Sequence, residues 1–204
     1  MMRPAGLVLA GGRGSRMGGG AEKPLLSLDG RTLAEHVLDR LIGVASPILI
    51  SANRSEAYAG LGFPVLEDRL AGHRGPLAGL DAAAAFLAGH EGEISHLLVL
   101  PGDTPFLPRD LAERLMRADA KLPRIARHRG HLQPTVGLWP LASLALLPAH
   151  LAGEGNGSIR GFLDAVGFAP VDFPDEAGAP GGDPFFNVNT PADLAAAQAF
   201  AQTR

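Results

Sequence analysis

The chain has 204 residues, of which 46% are hydrophobic and only 5% aromatic, and its formal net charge is −3. This length predicts one domain over residues 1–204, with a core of aliphatic side chains. The charge argues against a nucleic-acid partner, the lack of cysteine excludes disulfides and thiolate zinc sites, and no apolar run is long enough to cross a membrane. The first apolar run is also too short for a signal peptide, so we expect a cytoplasmic protein without a membrane partner.

Strand-like and helix-like segments alternate along the chain. The apolar patterns predict strands at residues 6–10, 47–51, 63–66, 96–100, 124–126, 134–138 and 168–173. They predict helices at residues 32–41, 75–87, 108–118, 140–151 and 158–165, and a last helix that starts at Thr190. The first helix opens on a capping box of Thr32 and Glu35, and the last has Thr190 as its N-cap followed by Pro191. This alternation predicts an α/β fold in which helices cover both faces of a mostly parallel sheet.

A glycine-rich stretch with cations follows the first predicted strand. Residues 11–20 contain six glycines, and Arg13, Arg16 and Lys23 lie within or just after them. Glycines let backbone N–H groups approach a ligand closely, and the cations favour a polyanion, so we interpret the loop as a nucleoside triphosphate site. Its spacing fits neither a P-loop nor the dinucleotide fingerprint, whose third glycine position holds Met17. The alternative is a flexible turn without a ligand.

Polar residues follow several predicted strands at the point where each strand ends. They lie at residues 51–54, 67–68 and 102–104. Because ligands of open parallel sheets bind beyond the carboxyl ends of the strands, we expect these segments and the glycine loop to converge on one rim. Asp103 would hold Mg²⁺ there, since Mg²⁺ takes one or two protein oxygens and keeps its waters; the alternative is a turn aspartate. Asp68 either contacts the ligand or forms a solvated pair with Arg69. Residues 75–79 either bring a helix N-terminus near an anion or let a helix pack closely.

Two amides precede the last predicted helix. Asn187 and Asn189 flank one valine, so on an extended segment they would point the same way and could both face the site. The alternative is a simple turn into the helix. Three histidines lie in arginine-rich segments and are expected on solvated surface: His73, His128 and His131. Those segments are available to an anionic second substrate through arginines that include Arg124, Arg127 and Arg129.

Motifs spread over nearly the whole chain match one family. They are Leu9-Ala-Gly-Gly with Arg16-Met-Gly18, Lys23, Ala52-Asn-Arg54, Glu67-Asp68, Gly75-Pro-Leu-Ala-Gly79, Asp103-Thr-Pro105, Pro134-Thr135 and Asn187-Val-Asn-Thr-Pro191. On these motifs the chain resembles the molybdenum cofactor guanylyltransferases. The first motif is shared with cytidylyl-, uridylyl- and thymidylyltransferases, whereas the last, with Gly-Pro-Leu-Ala-Gly and Asp-Thr-Pro, is closer to the guanylyl branch. The resemblance implies a three-layer, Rossmann-like, mostly parallel sheet of the glycosyltransferase-A-like nucleotidyltransferase type.

The same resemblance implies an activity and a set of site residues. The activity is transfer of GMP from GTP to molybdopterin carrying molybdenum, with Mg²⁺ as cofactor and pyrophosphate released. Asp103 would bind both GTP and Mg²⁺, and Arg16, Lys23 and Asp103 would carry catalysis. Asn187 and Asn189 would lie on the molybdopterin side, and molybdoenzyme apoproteins or cofactor chaperones would be later partners. The implied nucleotide-binding residues are Leu9, Ala10, Gly11 and Gly12 through the backbone, Lys23, Asp68 and, where relatives often have an asparagine, Ser51 or else Asn53.

The chemistry requires positioned charge and no protein nucleophile. An acceptor phosphate oxygen attacks the α-phosphorus, and Arg16 with the loop amides would neutralise the leaving pyrophosphate. Two alternatives stay open, a cytidylyltransferase acting on the same cofactor and a non-catalytic nucleotide- or cofactor-binding protein. Competition between GTP and CTP distinguishes a guanylyltransferase from a cytidylyltransferase, and pyrophosphate release distinguishes it from a non-catalytic binding protein. A dehydrogenase is disfavoured by Met17.

Overall fold

A computed structural model describes residues 3–11, 22–69, 75–90, 94–117, 121–152 and 158–203. Its strands are β1 (Ala5–Leu9), β2 (Ser27–Leu28), β3 (Arg31–Thr32), β4 (Ile48–Ser51), β5 (Val65–Leu66), β6 (His96–Pro101), β7 (Arg124–His128), β8 (His131–Pro140) and β9 (Ala169–Phe173). Its helices are α1 (Leu33–Leu38), α2 (Ser55–Tyr58), α3 (Pro76–Leu87), α4 (Leu111–Met116), α5 (Leu141–Leu144), α6 (Leu147–Ala152), α7 (Ile159–Val166) and α8 (Pro191–Ala201). Short 3-10 turns lie at Lys23–Leu25, Ala59–Leu61, Ala88–His90 and Pro180–Gly182.

The central sheet is mostly parallel, as the sequence predicts. Its strand order is β5-β4-β1-β6-β8-β7-β9. The strands β5, β4, β1 and β6 run parallel to one another, and β9 runs parallel to β7. Only β8 is antiparallel to both of its neighbours among the described strands. Because β8 runs opposite to β6, its first half lies beside the carboxyl end of β6.

Helices cover both faces of this sheet, which gives the predicted three layers. Alternate residues of each strand enter two different cores, so Val8 and Ile50 face one side while Leu7 and Leu49 face the other. The first core contains residues of α1 and α4, and the second contains residues of α3, α5, α6 and α7. Near-continuous apolar strands are what a sheet covered on both faces requires, because every side chain in them becomes buried.

Two hairpins were missing from the sequence prediction. The two-stranded sheet of β2 and β3 turns at Asp29 and Gly30, whose φ angles are 51° and 76°. The pair β7 and β8, predicted as two separate and shorter strands, turns in the same way at Arg129 and Gly130, whose φ angles are 46° and 78°. Two consecutive positive φ angles give the tight turn whose twist suits a hairpin, and a glycine in second place makes it accessible.

Several predicted helices differ in length from those observed. The segment predicted as one helix at residues 140–151 forms two short helices, α5 and α6, and the helix predicted at residues 108–118 is limited to α4. Residues 55–58, for which the sequence predicted no helix, form α2. The capping box of Thr32 and Glu35 is confirmed at α1. At α8, Thr190 is the N-cap and Pro191 the first helical residue, as predicted.

The C-terminal helix packs away from the central sheet. A third apolar cluster joins α8 to the β2–β3 hairpin and contains Leu28, Phe106, Val188 and Ala197. Val188 is fully buried in that cluster. It therefore fixes the position of the polar residues on either side of it. In the part of the chain that the structure describes, no helix has the length and apolar character needed to span a membrane.

Candidate active site

A cavity of about 340 Å³ opens at the carboxyl ends of the parallel strands. Leu9 at the end of β1 is in register with Ser51 at the end of β4 and with Pro101 at the end of β6, so these strands stop at one level. For the described segments this arrangement confirms the predicted convergence on one rim, whereas the glycine loop beyond Gly11 lies outside the described residues. The described residues that line the cavity are Leu9, Ala10, Gly11, Lys23, Pro24, Ser51, Asp68, Gly75, Pro76, Pro101, Asp103, Thr135, Asn187 and Asn189. Gly12 and Arg16 lie outside the described residues, so their expected roles stay predictions.

Backbone hydrogen bonds join the strand ends that line the cavity. Ala10 donates its N–H to the Ser51 carbonyl oxygen at 2.8 Å, and Gly102 donates to the Leu9 carbonyl oxygen at 2.9 Å. The fully buried Tyr58 hydroxyl lies 3.2 Å from the Ala10 carbonyl oxygen and 3.3 Å from Glu22 Oε2. Burial, and after it the charge of Glu22, raises the pKa of Tyr58, so its hydroxyl keeps its proton. The chain leaving β1 is therefore anchored before the glycine stretch begins.

Lys23 connects the two ends of the chain at this cavity. Its Nζ donates to Asp103 Oδ2 at 2.5 Å and to Asn189 Oδ1 at 2.7 Å. The Lys23 and Asp103 side chains are only 15% and 20% exposed, so water screens their attraction less than at an open surface. Lys23 thus joins the loop after β1, the end of β6 and the segment before α8.

The segment that carries the two amides is docked against the end of β6. Val188 donates its N–H to the Asp103 carbonyl oxygen at 3.0 Å. Beside it, the Thr104 hydroxyl donates to Asn187 Oδ1 at 2.6 Å. Asn187 and Asn189 both line the cavity, which favours the interpretation that they face the site. The sequence analysis placed Thr104 at the rim within residues 102–104 but gave it no role, although its position next to the candidate metal ligand in Asp103-Thr-Pro was a signal.

A second capping box fixes where this segment ends. The N–H groups of Asn189 and Thr190 both donate to Asp193 Oδ2, at 2.9 and 2.8 Å. Burial alone would raise the pKa of Asp193, but these hydrogen bonds, with that to the Thr190 side chain and the charge of Lys23, bring its pKa below the ordinary value. Asp193 therefore stays ionised and holds the start of α8 in place.

Asp68 is oriented by Asn53, and Ser51 lies in the cavity wall. Asn53 Nδ2 donates to Asp68 Oδ2 at 2.7 Å, and the Asp68 N–H donates back to Asn53 Oδ1 at 3.0 Å. Ser51 lines the cavity and is 4% exposed, whereas Asn53 is not among the described lining residues. The alternative pairing of Asp68 with Arg69 is not observed, because Arg69 Nη1 instead lies 3.4 Å from Asp81 Oδ2.

The first turn of α3 fits both interpretations of the Gly-Pro-Leu-Ala-Gly motif, a helix N-terminus at the ligand site and close packing of the helix. Gly75 and Pro76 line the cavity, so the N-terminal end of a 12-residue helix faces it. Gly79 packs the same helix against the sheet, because a Cβ atom there would lie 2.5 Å from Ser51 Oγ and 2.8 Å from Leu9 Cδ2. Partial positive charge at a helix N-terminus favours an anionic ligand in the cavity.

The carboxylates fit a metal ion that is shared with a ligand. Asp68 and Asp103 are the acidic side chains among the described lining residues, and the described part of the chain contains no group of three or more histidine or acidic side chains able to hold a metal. Mg²⁺ characteristically takes one or two protein carboxylates and completes its shell with water and substrate phosphates. Asp103 therefore fits a Mg²⁺ ion that arrives with a triphosphate.

The arginine-rich segments are not arranged as the sequence suggested. His128 is only 4% exposed, not on solvated surface, because it lies under Phe185 and its Nδ1 is 3.0 Å from the Phe173 carbonyl oxygen. Arg127 forms two hydrogen bonds with Asp172, and Arg129 forms two with Asp175. These two guanidinium groups are engaged in cross-strand and loop contacts, and neither residue lines the cavity. His131 is exposed as expected, and His73 lies outside the described residues.

Comparison with known proteins gives consistent matches. Residues 6–171 match the family model described as the MobA-like NTP transferase domain. The chain is 43% identical over 194 residues to the molybdenum cofactor guanylyltransferase of Acidiphilium cryptum, covering 95% of this chain and 93% of that protein. It is 42% identical over 198 residues to the protein of the same name from Cereibacter sphaeroides, covering 97% and 96%.

Solved structures of low sequence identity share the fold. The molybdopterin-guanine dinucleotide biosynthesis protein A of Archaeoglobus fulgidus has a TM-score of 0.72 at 24% identity, with 98% of this chain and 100% of that chain covered. A Mycobacterium tuberculosis protein solved in complex with manganese has a TM-score of 0.71 at 13% identity, with 97% and 98% covered. These likenesses support the same three-layer architecture.

Proposed function

The chain belongs to the molybdenum cofactor guanylyltransferases of the MobA-like NTP transferase family, and from that premise we propose how its cavity performs GMP transfer. In the reaction, GTP and molybdopterin carrying molybdenum give the guanine dinucleotide form of the cofactor and pyrophosphate. One observation carries the proposal. The Lys23 ammonium contacts Asp103 and Asn189 together, so the proposed nucleotide and acceptor subsites meet at a single pair of charges.

GTP binds over the ends of β1 and β4. Leu9, Ala10 and Gly11 line that part of the cavity, and Ser51 and Asp68 line it as well. Asn53 serves this subsite indirectly, since its two hydrogen bonds fix the carboxylate and the backbone of Asp68. Lys23 and the N-terminal end of α3 supply the positive potential that a triphosphate requires. For Gly12 and Arg16 we propose, from the sequence alone, roles in binding the same nucleotide.

The acceptor occupies the side formed by Asn187 and Asn189. Lys23 can only donate hydrogen bonds, so Asn189 turns its Oδ1 toward it and leaves its Nδ2 as a donor for the cavity. Asn187 Oδ1 likewise accepts a hydrogen bond from the Thr104 hydroxyl, which leaves the Asn187 Nδ2 group as a donor. Two amide NH₂ groups at one wall suit an acceptor rich in oxygen, as the phosphate and pterin groups of molybdopterin are.

Transfer proceeds by in-line displacement at the α-phosphorus. A terminal phosphate oxygen of the acceptor forms the new bond, and the bond from the α-phosphorus to the bridging oxygen breaks, so pyrophosphate leaves with the electron pair. The protein contributes position and charge, with Lys23 beside the phosphates and the docked amides holding the acceptor oxygen in line. Mg²⁺ held by Asp103, when bound, neutralises phosphate charge and orients the triphosphate.

Pyrophosphate release with each nucleotide tests the function. Purified protein is supplied with Mg²⁺, molybdenum-loaded molybdopterin and either GTP or CTP, and the dinucleotide product is identified by chromatography. We expect turnover with GTP and little with CTP. Preference for CTP would overturn the guanylyl assignment, and tight GTP binding without pyrophosphate release would identify a non-catalytic carrier.

The wider setting follows from the same proposal. GTP is a cytoplasmic nucleotide, so we place the reaction in the cytoplasm. The product has to pass to proteins that use the guanine dinucleotide cofactor, which makes molybdoenzyme apoproteins or cofactor chaperones the partners that act next. Capture of the labelled dinucleotide product by an added apoprotein would test this step.

A further inference from the structure

Thr104 is a buried hydroxyl next to the candidate metal ligand, and it does not line the cavity itself. Only 1% of the residue is exposed. Its Oγ1 lies 2.6 Å from Asn187 Oδ1, whereas Asp103 Oδ1 is 3.5 Å away, at the outer limit of a hydrogen bond. The strong contact of this hydroxyl is therefore with the amide of Asn187, which is 83 residues distant in sequence.

This contact determines which end of the Asn187 amide meets a ligand. Because the hydroxyl donates to Oδ1, the amide carbonyl faces the protein and the Nδ2 group stays available at the cavity wall. Asn187 is an exposed residue, so without this bond its side chain would be free to rotate among several orientations. A buried hydroxyl that donates a hydrogen bond of this length holds the exposed amide in one of them.

The backbone of the segment is held by other groups. Val188 is fully buried and its N–H donates to the Asp103 carbonyl oxygen at 3.0 Å, and the Asn189 N–H donates to Asp193. Removing the Thr104 hydroxyl therefore leaves the docking of residues 187–189 in place. What it removes is the orientation of one side chain.

We propose that Thr104 is a positioning residue for the second substrate, whose buried hydroxyl aims the Asn187 NH₂ group at an oxygen atom of the acceptor. The acceptor class, an oxygen-rich phosphate or pterin group, rests on the proposed function. Thr104 does not touch either substrate. Its effect reaches the acceptor through Asn187 and leaves the GTP subsite unchanged.

Three variants test this role. Thr104→Val removes the hydroxyl at constant shape, Thr104→Ser keeps it, and Asn187→Ala removes the amide that it orients. We expect Thr104→Val to raise the KM for molybdopterin about 3- to 10-fold, the effect of losing one oriented hydrogen bond, with the KM for GTP changed less than about twofold. Thr104→Ser should restore the wild-type value. The double variant Thr104→Val/Asn187→Ala should be no worse than Asn187→Ala alone, because the two residues act through one contact.

Three results would overturn the proposal: an equal loss toward both substrates, additive effects in the double variant, or no rescue by serine. Asn187→Asp supplies a test that does not depend on how a Thr104 variant folds. It keeps an oxygen for Thr104 but replaces the NH₂ donor by negative charge, so acceptor affinity should fall below that of Asn187→Ala. Wild-type affinity in Asn187→Asp would refute the donor orientation.

Direct binding separates this inference from the proposed function. Molybdopterin binding is followed by pterin fluorescence in the absence of GTP, for the wild type and each variant. If the wild type releases no pyrophosphate, the proposed function fails, and the binding series still decides whether Thr104 orients the amide for this ligand. Binding that Thr104→Val leaves unchanged would overturn the inference alone.

Discussion

Replacing Asp103 with asparagine is the most direct test of the site. The carboxylate is 20% exposed, its Oδ2 lies 2.5 Å from Lys23 Nζ, and it lines the cavity beside the proposed triphosphate. Asp103→Asn keeps the shape but removes the charge that would hold Mg²⁺. Loss of one group that stabilises charge in the transition state costs about 3–4 kcal/mol, so we expect kcat to fall about 100- to 1000-fold.

The same substitution also removes half of an ion pair, so its effect on folding has to be separated from its effect on rate. A hydrogen bond between charged groups that are only partly screened contributes about 1–2 kcal/mol, which lowers the melting temperature by about 2–8 °C in a chain of this size. The protein therefore stays folded at 25 °C, where the rate is measured. A loss of rate without unfolding belongs to the site.

Initial rates of pyrophosphate release at saturating GTP and acceptor, with Mg²⁺ titrated, measure the effect. Substituting Mn²⁺ for Mg²⁺ gives a second readout, because bound Mn²⁺ is counted by electron paramagnetic resonance in the presence of GTP. Asp172→Asn is the matched control, since it removes a carboxylate from a 2.6 Å ion pair with Arg127 that does not line the cavity. A kcat for Asp103→Asn within about threefold of the wild type, with Mn²⁺ still bound, would refute the metal assignment.

Three further substitutions probe Lys23, the packing of α3 against the sheet, and the N-terminal cap of α8. Lys23→Met should weaken GTP binding about 10- to 100-fold, since it removes a charge-assisted contact. Calorimetry measures the GTP affinity, with the exposed Lys121→Met as the control variant. Equal GTP affinity of the two variants would contradict the prediction. Gly79→Ala should lower the melting temperature by about 2–10 °C, because its Cβ atom would meet Ser51 Oγ at 2.5 Å, whereas Gly89→Ala, with nothing within 4 Å, should change it by less than about 1 °C. The pKa of Asp193 is lowered in the folded state, so its stabilisation is present above the unfolded value of about 3.9 and is lost as pH falls through the folded value. The difference in unfolding free energy between wild type and Asp193→Asn should therefore be larger at pH 7 than at pH 3, and a difference independent of pH would show that this carboxylate does not act through its charge.

The sequence predicted the layers and the rim because both depend on local patterns. Near-continuous apolar strands such as β4 and β6 require cover on both faces, and the carboxyl ends of adjacent parallel strands meet by geometry alone. The capping box at Thr32 and the N-cap at Thr190 were equally local, since each cap contacts a residue three positions later. These features need no knowledge of distant contacts.

What the sequence could not predict depends on pairing between distant residues. Asp29-Gly30 and Arg129-Gly130 each mark a hairpin turn, but the β2 strand is only two residues long, and β8 has too little alternation to show where its pairing begins. The burial of His128 depends on Phe173 and Phe185, which are 45 and 57 positions further along the chain. No local sequence pattern around His128 predicts its contact with Phe173 or with Phe185.

The site has a further feature that follows from the order of the strands. Asp103 follows the end of β6, and two other segments contact it: its Oδ2 accepts a hydrogen bond from the Lys23 ammonium, and its carbonyl oxygen accepts one from the N–H of Val188. These two partners belong to segments near opposite ends of the chain, and Val188 is fully buried in the third apolar cluster. A group transfer that needs no protein nucleophile depends on holding two substrates in line at one point. In the proposed function, Asp103 provides that point, because it contacts both Lys23 of the proposed nucleotide subsite and the segment proposed to bind the acceptor.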